Sequence, residues 1–98
     1  DSSHTESHNS LGVALAMSGD MRNAFHHYFE ALRSKPGYKN AETNLVQALA
    51  APESVQECAL LLQRYEVQGD RERLQFALSV IQSVSPESVP ALLKRGTL

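Results

Sequence analysis

Five breaks punctuate the sequence, Gly19-Asp20, Pro36-Gly37, Ala51-Pro52, Gly69-Asp70 and Ser85-Pro86, and the segments between them are of helix length. Within each, apolar residues recur at intervals of three and four rather than alternating, so the chain is predicted to be all-α, with five to six antiparallel helices and no strand. Leu11, Val13, Ala14 and Leu15 mark a first helix over His8 to Met17. Gly19 suits a left-handed helix end, and the Asp20 carboxylate suits the cap of the next. A second helix is expected from about Met21 to Ser34, with Ala24, Phe25, Tyr28, Ala31 and Leu32 on its inner face. A third runs from about Lys39 to Ala50 on Ala41, Leu45, Ala48 and Leu49. Ser54 and Glu57 have the spacing of a capping box ahead of a fourth, which carries Val55, Cys58, Ala59, Leu61, Leu62 and Tyr65. Leu74 to Val84 is apolar nearly all round and predicts a fifth helix flanked on both sides. Ser88 to Arg95 predicts a short sixth, with Pro90 in its first turn and Gly96 closing it, whose Val89, Leu92 and Leu93 are expected to fold back as a lid over Phe76, Val80 and Val84.

Composition excludes several classes. A net charge of −2 with both signs mixed along the chain offers no basic run to follow a phosphate backbone, so no nucleic-acid partner is expected. No apolar stretch approaches the roughly 18 residues of a membrane span, so no direct insertion is expected either. Cys58 is the single cysteine. It forms no internal disulfide and no thiolate zinc site, and reads as a small buried filler. Asp1-Ser2-Ser3-His4 has no basic stretch leading into an apolar core, as a signal peptide would, and the chain reads as a piece of a longer protein.

A shift of 34 residues lays Leu11 on Leu45, Ala14 on Ala48, Leu15 on Leu49, Ala24 on Cys58 and Tyr28 on Leu62, and that period marks a two-helix repeat. The first copy reads His8-x2-Leu11-Gly12-x2-Leu15, then Ala24-x3-Tyr28, then Pro36, and so resembles the tetratricopeptide repeat family, with His8 and Leu15 as departures. Its wording is closest to repeats attached to O-GlcNAc-transferase-like and bacterial glycosyltransferase-associated arrays. The resemblance implies a right-handed αα-hairpin solenoid forming one domain over residues 1–98. A well-formed repeat would cover 5–38, a degenerate one 39–72 and a partial repeat or capping helices 73–98. A second register, shifted by 50, would lay Gly69-Asp70 on Gly19-Asp20 and Pro86 on Pro36, making 55–88 the second true repeat. Gly12 and Ala24 are the small residues at which two helices can approach closely.

In that family the first helix of each hairpin lines a concave groove. The resemblance places Asn9, Ser10, Val13, Ala16 and Met17 there from one hairpin, and Asn40, Thr43, Asn44, Gln47 and Ala50 from the next. Amide side chains donate and accept together, which suits an extended backbone with little demand on its side chains. Asn44 before Leu45 matches the asparagine used by the glycosyltransferase branch, whereas Ser10 before Leu11 does not. A clamp for a terminal carboxylate is excluded, since the groove helices offer only Lys39. The implied function is a scaffold binding a peptide or protein. The alternative is an accessory or oligomerisation arm of a larger, membrane-bound glycosyltransferase-type protein, and an uncapped N-terminal face carrying Leu11 and Leu15 would let copies associate. No catalytic, cofactor or metal residues are expected. His4 and His8 share a helix face without an evident third ligand, His26 and His27 project about 100° apart and read as outer-face residues, and no nucleophile–base pair stands out.

Overall fold

A computed structural model of the protein describes residues 2–96, and the side chains of residues 4–92. The helices are α1 (Ser2–Met17), α2 (Met21–Ser34), α3 (Lys39–Leu49), α4 (Pro52–Val67), α5 (Arg71–Val84) and α6 (Val89–Gly96). A 3-10 turn spans Pro86–Ser88, and there is no strand among the described residues. No helix among them is long and apolar enough to cross a membrane.

The two Gly-Asp breaks are built alike. Gly19 and Gly69 take φ of +93° and +74°, the left-handed region in which a side chain would be strained. The following N–H reaches back to close the helix, from Asp20 to the Leu15 carbonyl at 2.8 Å and from Asp70 to that of Tyr65 at 2.9 Å. Each aspartate then accepts a hydrogen bond from the backbone N–H three residues on, of Asn23 and Arg73 respectively. These bonds hold both carboxyls below their ordinary range, the side-chain bonds from Asn23 and Arg73 contributing most.

Three local expectations are revised. First, α1 begins at Ser2 rather than near His8, and Thr5 is buried with its hydroxyl 2.7 Å from that of Ser34. Second, no capping box forms at Ser54: α4 starts earlier because Pro52, with its φ preset for a helix, takes the first turn. That leaves Ser54 inside the helix and buried, and Glu57 accepts instead from Arg22 Nε at 3.0 Å. Third, α5 is flanked less completely than its composition suggests. Ala77 and Ile81 are fully buried, while Leu74, Phe76, Leu78, Val80 and Val84 only lie against the core.

The contacts Thr5–Ser34 and His8–His27, with Gly12 against Ala24 and Tyr28, run in opposite directions along α1 and α2 and make them an antiparallel hairpin. A Cβ at Gly12 would fall 2.6 Å from the Tyr28 ring and 3.2 Å from the Ala24 carbonyl oxygen, so only glycine lets the helices lie this close. Residues 39–67 form the second helix pair, joined through Ala50 and Ala51. The apolar core draws Phe25, Phe29 and Leu32 from α2 and Leu45 and Leu49 from α3. Cys58, Leu61 and Tyr65 of α4, Ile81 of α5 and Leu92 of α6 complete its centre. Burial pushes the Cys58 thiol up to about 12, so it stays protonated as an apolar filler. Among the described side chains, none of α1 belongs to this cluster. Helix α5 lies along α2 and α4, with Phe76, Val80 and Val84 over the corner where α2 passes into α3. The last helix packs chiefly on α4 instead of forming a lid over α5, and Leu92 is its buried anchor. Leu93, expected to share that role, lies outside the described side chains.

Candidate functional site

Two successive hairpins meet at a pair of amides. Asn9 projects from α1 and Asn44 from α3, and Asn44 Nδ2 donates to Asn9 Oδ1 at 3.0 Å across 35 residues of sequence. With that bond made, the Asn9 amide nitrogen can still donate and the Asn44 carbonyl oxygen can still accept, which is one donor and one acceptor set side by side.

The other residues expected in the groove fall into two groups around this pair. Thr43 and Gln47 are exposed on α3 and line an open depression of about 300 Å³ with Lys39, Glu42, Val46 and Val84, the last from α5. Asn40 is exposed and donates to the Tyr38 hydroxyl at 3.4 Å. On α1, Ser10 is exposed, Val13 and Ala16 are half-buried, and Met17 is 84% exposed at the helix end. At 100° per residue, Val13, Met17 and Ser10 fan outward from the side of α1 that carries Asn9. The structure thus joins Asn9 directly to Asn44 and sets Thr43 with Gln47, while Ser10 and Met17 stand on the open front of α1.

A second cluster has no counterpart in the sequence reading. Arg73 Nε bonds Glu30 Oε2 at 2.9 Å and its Nη1 bonds Asp70 Oδ2 at 2.9 Å, while Arg33 reaches Glu72 at 3.3 Å. Burial pushes the Glu30 carboxyl up, but the Arg73 hydrogen bonds and the charges of Arg73 and Arg33 outweigh it and hold the group below its ordinary range. These pairs brace α5 on α2. Beside them opens a cleft of about 590 Å³ lined by His4, Glu30, Arg33, Ser34, Glu72 and Phe76.

The histidines also depart from expectation. His26 is no outer-face residue: it is half-buried, and its Nδ1 lies 2.7 Å from the Tyr65 hydroxyl. His27 faces α1, with its Nδ1 3.0 Å from Nδ1 of His8, and His8 Nε2 lies 3.2 Å from Nε2 of His4. The close approach at Gly12 brings α1 near enough for this. Groups of three or more His, Cys, Asp or Glu arranged to hold a metal ion do not occur among the described residues. Compared with family models, with curated proteins and with solved structures, the chain finds no match.

Proposed function

We propose that the chain is a tetratricopeptide-like repeat module whose α1–α3 face binds an extended peptide segment of a protein partner. The observation that carries this reading is the Asn9–Asn44 pair, because it sets a backbone-matching donor and acceptor side by side from successive hairpins. Contacts at the repeat interval support it: Asn9 with Asn44 and Arg22 with Glu57 are each 35 residues apart, as stacked copies of a repeat of about 34 would give.

Selection from a random peptide library, followed by mapping of backbone amide shifts, tests the reading. Shifts are expected at Asn9, Asn44, Thr43 and Gln47, and Thr43→Arg should weaken the selected peptide at least about tenfold while leaving stability within about 0.5 kcal/mol, since Thr43 is exposed. Shifts confined to α4 or α6 would move the site elsewhere. Because the two amides bond each other, Asn9→Ala with Asn44→Ala should lower stability by about 0.5–1.5 kcal/mol as well as weakening binding. Urea denaturation of the double variant measures the first effect.

A second reading, association through α1, is favoured by one observation. Ser7, Leu11 and Ala14 precede Ala41, Leu45 and Ala48 by the repeat interval. On α3 Ala41 and Leu45 are fully buried, whereas on α1 all three equivalents are exposed, Leu11 at 45%. A helix like α2 would cover them, and a second copy could supply one. Light scattering over a wide concentration range decides the matter: a strict monomer removes this reading.

A further inference from the structure

We propose that His8 and His27, with His4 beside them, form a proton-operated latch that holds α1 on α2 near neutrality and releases it on acidification. The argument starts from proton counting. Two imidazole nitrogens 3.0 Å apart can bond only if one carries a hydrogen and the other a lone pair, so the His8–His27 junction holds a single proton whichever ring supplies it. The two outward nitrogens of the pair can each carry one more. The pair therefore accepts one positive charge without rearrangement, and a second puts two N–H groups face to face and breaks the junction. His4 does not relieve this. Its junction to His8, at 3.2 Å, is exposed, whereas the His8–His27 junction is half-buried and its stacked rings lie 5.2 Å apart.

Several titratable and charged groups stand around the latch. Helix α1 contributes His4, and α2 contributes His26, Glu30 and Arg33. Beyond His26 stand Arg64 and Tyr65 of α4 and Arg73 of α5, and Glu72 of α5 lines the cleft with His4. Burial holds His27 below its ordinary value of 6.5, the nearby His8 adds to this, and Glu30 opposes it without reversing it. Burial likewise lowers His26, against Glu30 and with His27, Arg64 and Arg73. A base whose folded pKa is depressed leaves the unfolded or detached state binding more protons. Attachment is thus full above about pH 6.5 and weakens as pH falls through that value.

What makes α1 the element that moves is the core. The apolar cluster runs from α2 to α6 and includes nothing from α1, whose only buried residues among those described are Thr5 and Gly12. The α2–α6 cluster can stay closed while α1 lets go, although Ala24 and Tyr28, which Gly12 faces, are then uncovered. His26 provides the internal contrast, because its bond to Tyr65 ties α2 to α4, inside the part that stays closed. The device does not depend on what the α1–α3 face binds.

Hydrogen exchange of the whole chain at about pH 7.5 and about pH 5.5, with a chelator present and intrinsic rates corrected, reads the latch. Protection of α1 is expected to fall about tenfold or more at the lower pH while α4 keeps its protection. His27→Gln and His8→Gln, which can still hydrogen-bond but do not titrate in this range, should each abolish the response. Should either variant fold poorly, proton titration of the parent's His27 ring gives a second reading, with His27 titrating below its ordinary value and in more than one step. Equal α1 protection at the two pH values, loss of α1 and α4 together, retention of the full response in the glutamine variants, or a single-step His27 titration at its ordinary value would each overturn the proposal.

Discussion

Phe29→Ala is expected to lower the unfolding free energy by about 3–5 kcal/mol. The ring is 1% exposed, and its centroid lies 6.5 Å from that of Phe25 with the two planes 24° apart, an offset stack at the centre of the cluster shared by α2, α3 and α4. Truncation removes the transfer energy of a whole ring and leaves a void that helices braced from several sides cannot close. Against the roughly 5–15 kcal/mol that holds a domain of this kind together, the loss is about a fifth or more of the total. Urea denaturation followed by far-UV circular dichroism measures it. Leu11→Ala is the control: Leu11 is 45% exposed on α1, and its loss should fall within about 0.5 kcal/mol. A Phe29→Ala loss no larger than that of Leu11→Ala would show that the cluster is not the core.

Phe29 also shows where the sequence stops being legible. The interval rule selected Ala24, Phe25, Tyr28, Ala31 and Leu32, all buried, and passed over Phe29. That rule describes a helix with one covered side. Helix α2 is covered by α1 on one side and by α3, α4 and α5 on others, so its buried arc is wider than a single stripe. The Gly-Asp breaks were legible because their conformation is a local property of glycine and of a capping carboxylate. The failed box at Ser54 was a local competition too, and Pro52 won it. Of the candidate face, Asn9 and Asn44 come together at nearly the repeat interval, which the sequence carries. Glu30 and Arg73, 43 residues apart, follow no period and depend on how α5 lies across α2, which nothing in the order of residues discloses. The His8–His27 pair falls between these cases. The two lie almost evenly on either side of the Ser18 turn, so hairpin geometry could have paired them, but only once Gly12 was known to set the spacing.

The spacing at Gly12 carries the other large effect. Gly12→Leu should cost about 1–3 kcal/mol through overpacking, reduced by somewhat under 1 kcal/mol of improved helix propensity, for a net loss of up to about 2 kcal/mol. The first added carbon already decides the sign. It would lie 2.6 and 2.7 Å from two carbons of the Tyr28 ring, where such atoms prefer about 3.5–4.0 Å, and 3.2 Å from a backbone oxygen that cannot turn aside. Nor can the ring swing clear, since Tyr28 is 3% exposed and packed on the hairpin's inner side. Because α1 adds nothing to the apolar cluster, the strain should show as loosening of α1 ahead of global unfolding, with amide protection lost there first. Tyr28→Leu removes the ring edge that the new carbon meets. If the contact is the cause, Gly12→Ala will be less damaging in the Tyr28→Leu background than in the parent, with a coupling of about 0.5 kcal/mol or more between the sites. Additive effects of the two substitutions would place the cost of the alanine somewhere other than the Tyr28 ring, and the close approach of α1 and α2 would then need another explanation.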